Sequence, residues 1–198
     1  MKKVLFLSAL LFLASASAFA QSRKDLKSDM AEARDSKRDI FIEMNNGKFL
    51  TFEKLKIKAG VMGYDHFEAD GKKLDISFDS VKAYQTDEYY AVRIDSTPKV
   101  HIGKMPEAEL FGHRIRNGKI ELFYSYRQTE KVLGVKVYGD KQGSFFLRKG
   151  KNGKLVELSK SALKEMVADK KAVAEEFDDV YKKRNEYDSA TKIIDDYN

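Results

Sequence analysis

Three histidines, His66, His101 and His113, are the only imidazoles in the chain, and there is no cysteine. No two of them stand at ligand spacing, and neither a His-Glu-x-x-His nor a His-x-His run occurs. A zinc site would have to be assembled entirely in three dimensions. His113 falls in register with Phe111 and Ile115 on the apolar side of a strand, the setting of a hydrogen-bonded structural histidine rather than a catalytic one. Asp65-His66, next to Tyr64 near a turn, is too common a pair to announce a triad. No serine carries the flanking glycines of a nucleophile elbow. The glycines at positions 60, 63, 71, 139, 143, 150 and 153 lie at turns, without the strand-then-helix context that cradles phosphate. Two acids could still face each other across a cleft as in glycoside hydrolysis, but nothing local marks such a pair. No catalytic residue, metal ligand or cofactor is therefore assigned.

One asymmetry is informative. Residues 111–154 hold eleven Lys or Arg against three acids, Glu121, Glu130 and Asp140. Strand alternation puts Arg114, Arg116, Arg127, Lys136 and Arg148 opposite the core face, in company with Phe123, Tyr138 and Phe146. This basic and aromatic face is the candidate binding surface, for an anionic envelope partner: an acidic glycan, lipopolysaccharide or an acidic protein. The same composition also suits a solvated strand face, with lysines blunting sheet edges, or a seat on which helices pack. Tyr89-Tyr90, after Asp87-Glu88, offers rings that a sugar could stack on. A strand with one buried and one exposed tyrosine accounts for the pair as well.

The elements that would position these residues are legible from period and punctuation. From Asp39 onward, short runs rich in Ile, Val, Phe and Tyr alternate with turn residues, the pattern of successive antiparallel strands. Turns are expected at Asn46-Gly47, Asp70-Gly71, Asn117-Gly118 and Asn152-Gly153, where the chain must tolerate positive φ. Ile120, Leu122, Tyr124 and Tyr126 share one strand face; Leu133, Val135 and Val137 share one face of the next. After Leu158 the period changes to that of helices. Ser159 or Ser161 can cap a helix with Leu163, Met166 and Val167 inward; Val173, Ala174, Phe177, Val180 and Tyr181 mark a second, and Ala190, Ile193, Ile194 and Tyr197 a third. The expected fold is α+β, mainly β: an antiparallel, hairpin-rich sandwich or barrel of ten or so strands, followed by two to three C-terminal helices.

The N-terminus has the organisation of a cleavable signal peptide. Lys2 and Lys3 form a basic head, Val4 to Leu13 an apolar core, and Ala18-Phe19-Ala20 a peptidase site that would leave Gln21 first. The core is too short to span a bilayer, and without cysteine no lipoprotein attachment is possible there. The expected divisions are a signal peptide at 1–20, a flexible or marginally helical arm at 21–38, a β-rich domain at 39–158 and a helical subdomain packed on the sheet at 159–198. Removing residues 1–20 leaves 178 residues and lowers the net charge from +6 to +4, too little to imply nucleic acid. A periplasmic or secreted protein, without stable membrane insertion after cleavage, is expected. Stability must come from packing rather than disulfides. The absence of tryptophan also lowers the case for an aromatic-platform site.

The runs Gly118-Lys119-Ile120-Glu121-Leu122-Phe123, Phe145-Phe146-Leu147-Arg148-Lys149-Gly150 and Leu155-Val156-Glu157-Leu158, followed by a helix and a terminal Tyr197-Asn198, resemble a loose group of uncharacterised exported proteins of Gram-negative bacteria. These are built as hairpins with a helical tail, and the likeness covers mainly residues 110–198. It implies export and fold, and brings no functional residues, cofactor or ligand. The leading expectation for function is a non-catalytic envelope module, binding or structural. The alternatives are a carrier holding an apolar ligand inside a barrel lined by residues such as Tyr124, Tyr126 and Val135, and a hydrolase of cell-wall or external polymers.

Overall fold

The computed structural model describes residues 26–58, 65–94, 111–126, 131–132, 135–136, 143–182 and 186–198, with 126, 131–132 and 135–136 described by backbone alone. The strands are β1 (Ile40–Met44), β2 (Phe49–Phe52), β3 (Leu55–Lys58), β4 (His66–Ala69), β5 (Lys72–Lys73), β6 (Val81–Gln85), β7 (Tyr90–Arg93), β8 (Phe111–Arg116), β9 (Ile120–Tyr126), β10 (Lys131–Val132), β11 (Val135–Lys136), β12 (Gly143–Lys149) and β13 (Val156–Glu157). Helix α1 covers residues 26–32; α2 (Lys160–Val167), α3 (Lys171–Lys182) and α4 (Glu186–Tyr197) close the chain.

Eight strands form one antiparallel sheet in the order β13-β12-β9-β8-β7-β6-β1-β2, beside a three-stranded sheet β3-β4-β5 and the hairpin β10-β11. β13 and β2 are the open edges, so among the described residues no closed barrel forms. Of the two architectures the alternation allowed, the barrel is set aside.

Turn chemistry joins the strands. At the β4–β5 hairpin Asp70 (φ 51°) and Gly71 (φ 79°) both take the positive φ that a tight primed turn requires. After β12 the positive φ falls at Gly150 (φ 72°), ahead of the expected Asn152-Gly153.

Register then sorts side chains between two faces, because successive residues of a strand point to opposite sides. Ile42, Tyr84, Ala91, His113, Tyr124 and Phe145 stand side by side across six strands on one face. Two layers cover that face. Over β1, β6, β7 and the start of β8 the small sheet brings Leu55, Phe67 and Ala69 against Ile42, Val81, Tyr84, Ala91 and Phe111. Over β8, β9 and β12 the helices bring Leu163, Val167, Val173, Phe177, Ala190, Ile193, Ile194 and Tyr197 against Ile115, Ile120, Leu122, Tyr124 and Leu147. These helical residues recur at three-four spacing, which puts them on one stripe per helix. Ser159 caps α2, its hydroxyl accepting from the Ala162 amide.

Helix α1 joins the same core through Met30. Its Asp29 pairs with Arg116 at 2.9 Å and accepts a hydrogen bond from the Tyr187 hydroxyl. An isolated helix this short would be marginal in water; the tertiary contacts hold it. Beyond α1 the chain is fastened by the fully buried Gln85, whose amide donates to the carbonyls of Asp35, Arg38 and Asp39 and whose oxygen accepts from the Asp35 amide.

Candidate functional site

The opposite face of the large sheet carries the chemistry. Arg114 on β8, Glu121 on β9 and Arg148 on β12 come from three neighbouring strands. Arg114 Nη1 donates to Glu121 Oε1 at 2.8 Å, and Arg148 Nε and Nη2 both reach Glu121 Oε2 at 2.6 Å. Side-chain exposures are 8% for Arg114, 4% for Glu121 and 12% for Arg148, so the three charges sit in the protein rather than in water. Aromatic rings support the guanidinium groups: Arg114 lies 4.4 Å from the centre of the Tyr90 ring and Arg148 lies 5.0 Å from that of Phe123. Burial works against the charge of Arg148, but the Glu121 carboxylate and, behind it, Tyr90 more than offset this. Its proton is therefore held more tightly than an ordinary arginine's.

Such a cluster stabilises a fold poorly, since desolvating three charges consumes most of their mutual attraction. This one also carries a net positive charge. Arg114 Nε is satisfied by the Ala33 carbonyl at 2.8 Å and Nη1 by Glu121, while Nη2 is buried without a hydrogen-bond partner. A buried donor left unmade costs about 1–3 kcal/mol.

Arg114, Glu121 and Arg148 line a cleft of about 1020 Å³ on this face. Its floor includes Ala83, Tyr90, Val92 and Ile94, which pack with Phe41, Phe123 and Phe146. Gly112 allows that continuity, since a Cβ there would come within 3.1 Å of Phe123 Cβ and 3.2 Å of Ile94 Cδ1. Seven Lys and Arg line the cleft against three carboxylates, Asp35, Glu43 and Glu121. Arg38–Asp35, Lys82–Glu43 and Arg93–Asp79 are paired around it, whereas Lys151 and Lys154 make no ion pair among the described residues.

The structure brings four of the expected binding residues together: Arg114, Arg148, Phe123 and Phe146. They are buried or nearly so, rather than spread on a solvated surface, and Phe123 and Phe146 are no seat for the helices, which pack on the other side of the sheet. Arg116 does not belong with them. A bulge between Arg114 and Arg116 shifts the β8–β9 register so that Arg116 pairs with Leu122, and its side chain meets Asp29 and Asp195 on the helical side. An extra residue in one strand reverses the alternation beyond it. Arg127, Tyr138 and the side chain of Lys136 lie outside the described residues, as do Ala18, Ala20 and Gln21 of the expected processing site.

Glu121, the hub of the cluster, was not singled out from sequence, although its place two residues from Phe123 on one strand put it on the same face. Tyr90 is the floor residue of its pair; Tyr89 turns to the opposite face, 4.5 Å from the ring of His113. His66 lies on β4, away from the cleft, and His101 is outside the described residues. Tyr124, proposed above as the lining of a carrier, is packed between β12 and the helices. Among the described residues no group of three or more His, Asp or Glu could hold a metal ion, and no helix is long and apolar enough to cross a membrane. Comparison with protein families, with curated proteins and with solved structures finds no match for this chain.

Proposed function

We propose that this chain is an exported, non-catalytic binding module that takes an anionic ligand in the cleft on the face of its large sheet opposite the helices. Export, to the periplasm or beyond the cell, rests on the basic head, apolar core and Ala-Phe-Ala site of residues 1–20. The binding reading rests on one observation: two buried arginines that line the cleft share a single carboxylate, which leaves one positive charge of the three groups unbalanced. A ligand oxyanion in the cleft supplies the second counter-charge for these three groups, through the charge-assisted hydrogen bonds that arginine favours. Acidic groups on an envelope glycan, on lipopolysaccharide or on a protein side chain all fit this requirement.

The test is calorimetric titration with a panel of carboxylates and phosphates, on the chain and on Arg148→Gln. That substitution leaves Arg114 and Glu121 as a neutral pair, cancelling the excess charge while keeping the buried carboxylate satisfied. Affinity for every anion that binds should fall at least about tenfold. If no member of the panel binds, or if Arg148→Gln binds as well as the parent, the reading is wrong.

A further inference from the structure

Strand β8 holds helix α1 at two points, one helical turn apart. Before the bulge, Arg114 Nε donates to the Ala33 carbonyl at 2.8 Å; at its far side, Arg116 Nη1 reaches Asp29 at 2.9 Å. The Ala33 amide donates to the Asp29 carbonyl at 2.9 Å, so one backbone hydrogen bond joins the two holds. In a regular strand Arg114 and Arg116 would share a face. The bulge lets one of them serve the cleft while the other serves the helical side.

The chain around these holds touches both faces of the sheet. Met30 packs in the helical core, and Asp29 accepts from Tyr187, whose ring stacks on Phe145 at 5.3 Å. A few residues later Asp35 and Arg38 line the cleft, and Gln85, another lining residue, binds the carbonyls of Asp35, Arg38 and Asp39. Arg114, one of the two cleft arginines, is fixed by two of its nitrogens: Nη1 on Glu121 and Nε on Ala33.

Resting on the binding reading above, we infer that helix α1 controls the anion site, with Asp29, Arg116 and Tyr187 as positioning residues for Arg114 from the opposite side of the sheet. With α1 docked, the Ala33 carbonyl holds the guanidinium aimed for an anion. With α1 undocked, Arg114 keeps only its bond to Glu121, and ordering that long side chain falls to the ligand. A helix this short does not hold itself, so docking depends on the Asp29 contacts. The coupling is reciprocal: the anion favours the docked helix by the factor by which docking favours the anion.

The test uses inorganic phosphate, citrate and galacturonate at constant ionic strength, with calorimetry for affinity and amide exchange for docking. In the parent, an anion at a hundred times its Kd should slow exchange across residues 26–38 by about tenfold or more, since local opening there releases the ligand. Asp29→Lys sets a like charge beside Arg116 and removes the acceptor of Tyr187; it should speed exchange across 26–38 and weaken anion binding at least about fivefold. The substitution adds positive charge, which by itself would favour an anion, so a loss of affinity comes from the helix. Ser159→Ala uncaps α2, away from α1, and should lower stability while leaving affinity unchanged. Should Asp29→Lys fail to fold, the exchange experiment on the parent decides alone. Exchange across 26–38 that ignores bound anion, Asp29→Lys that binds like the parent, or Ser159→Ala that loses as much affinity would overturn this inference and leave the anion-binding reading standing. No binding by any of the three anions would overturn both.

Discussion

Replacing Glu121 by glutamine separates a structural ion cluster from a binding site. The carboxylate accepts from Arg114 Nη1 at 2.8 Å and from Arg148 Nε and Nη2 at 2.6 Å, with only 4% of its side chain exposed. A glutamine amide keeps the shape but removes the charge, and its NH₂ would face a guanidinium as donor against donor. Two buried cations are then left without a counter-ion among the described residues. Removing one partner from a buried pair costs about 3–5 kcal/mol, a large share of the roughly 5–15 kcal/mol that holds a domain together. For a chain of this size that lowers Tm by about 6–20 °C, taking about 2–4 °C per kcal/mol.

The diagnostic is how that loss responds to anions. An added oxyanion can replace the missing carboxylate, and a ligand at a hundred times its Kd returns about 2.7 kcal/mol. Urea denaturation of parent and Glu121→Gln should therefore show a stability gap of about 3–5 kcal/mol in chloride that narrows as phosphate replaces it at constant ionic strength. Salting-out by phosphate acts on both proteins and cancels from the gap. Anion affinity should rise in the same variant that is less stable, the opposite of Arg148→Gln. A gap under about 1 kcal/mol would refute the uncompensated charge, and a gap indifferent to phosphate would refute an accessible anion site.

Other consequences follow from the elements that frame the cleft. Tyr187→Phe removes the hydroxyl that donates to Asp29 and should cost about 1.5–3 kcal/mol, the range for a hydrogen bond to a charged group; amide exchange should accelerate first across residues 26–38. Burial, and then Asp29, push the Tyr187 hydroxyl above its ordinary value of 10.0. Its contribution is therefore full below about pH 10 and is lost as pH rises through the higher folded value, so the variant should show a flatter alkaline limb in a stability titration. At the chain's end, the Asn198 side chain accepts from the Ile120 amide at 2.9 Å and donates to its carbonyl at 3.0 Å, as a strand neighbour would. A Cβ on Gly118 would lie 2.3 Å from that side chain. Gly118→Ala and Asn198→Ala should each lose about 1–3 kcal/mol, and the double variant should lose less than their sum, which a denaturation cycle checks.

Alternation and punctuation were enough to foresee the class of fold, because both report strictly local physics. The pleat forces Ile120, Leu122 and Tyr124 to one side of their strand, and three-four spacing forces Ile193, Ile194 and Tyr197 onto one stripe of theirs. The same local rule placed Arg114 and Arg148 with Phe123 and Phe146. It failed at Arg116, where a bulge depends on how β8 meets β9 and has no signature within either strand. Sandwich against barrel likewise turned on whether β13 and β2 meet, a pairing between strands more than a hundred residues apart.

Burial of the basic face was the other decision left to the tertiary structure. Sequence shows the charges along each strand, but not that Glu121 stands between two arginines contributed by its neighbours, nor that a single carboxylate serves both. Charge balance in a cleft is a sum over strands, fixed by register and by what the remaining layers cover. Here the helices and the small sheet take one face, and the arginines are left with the other.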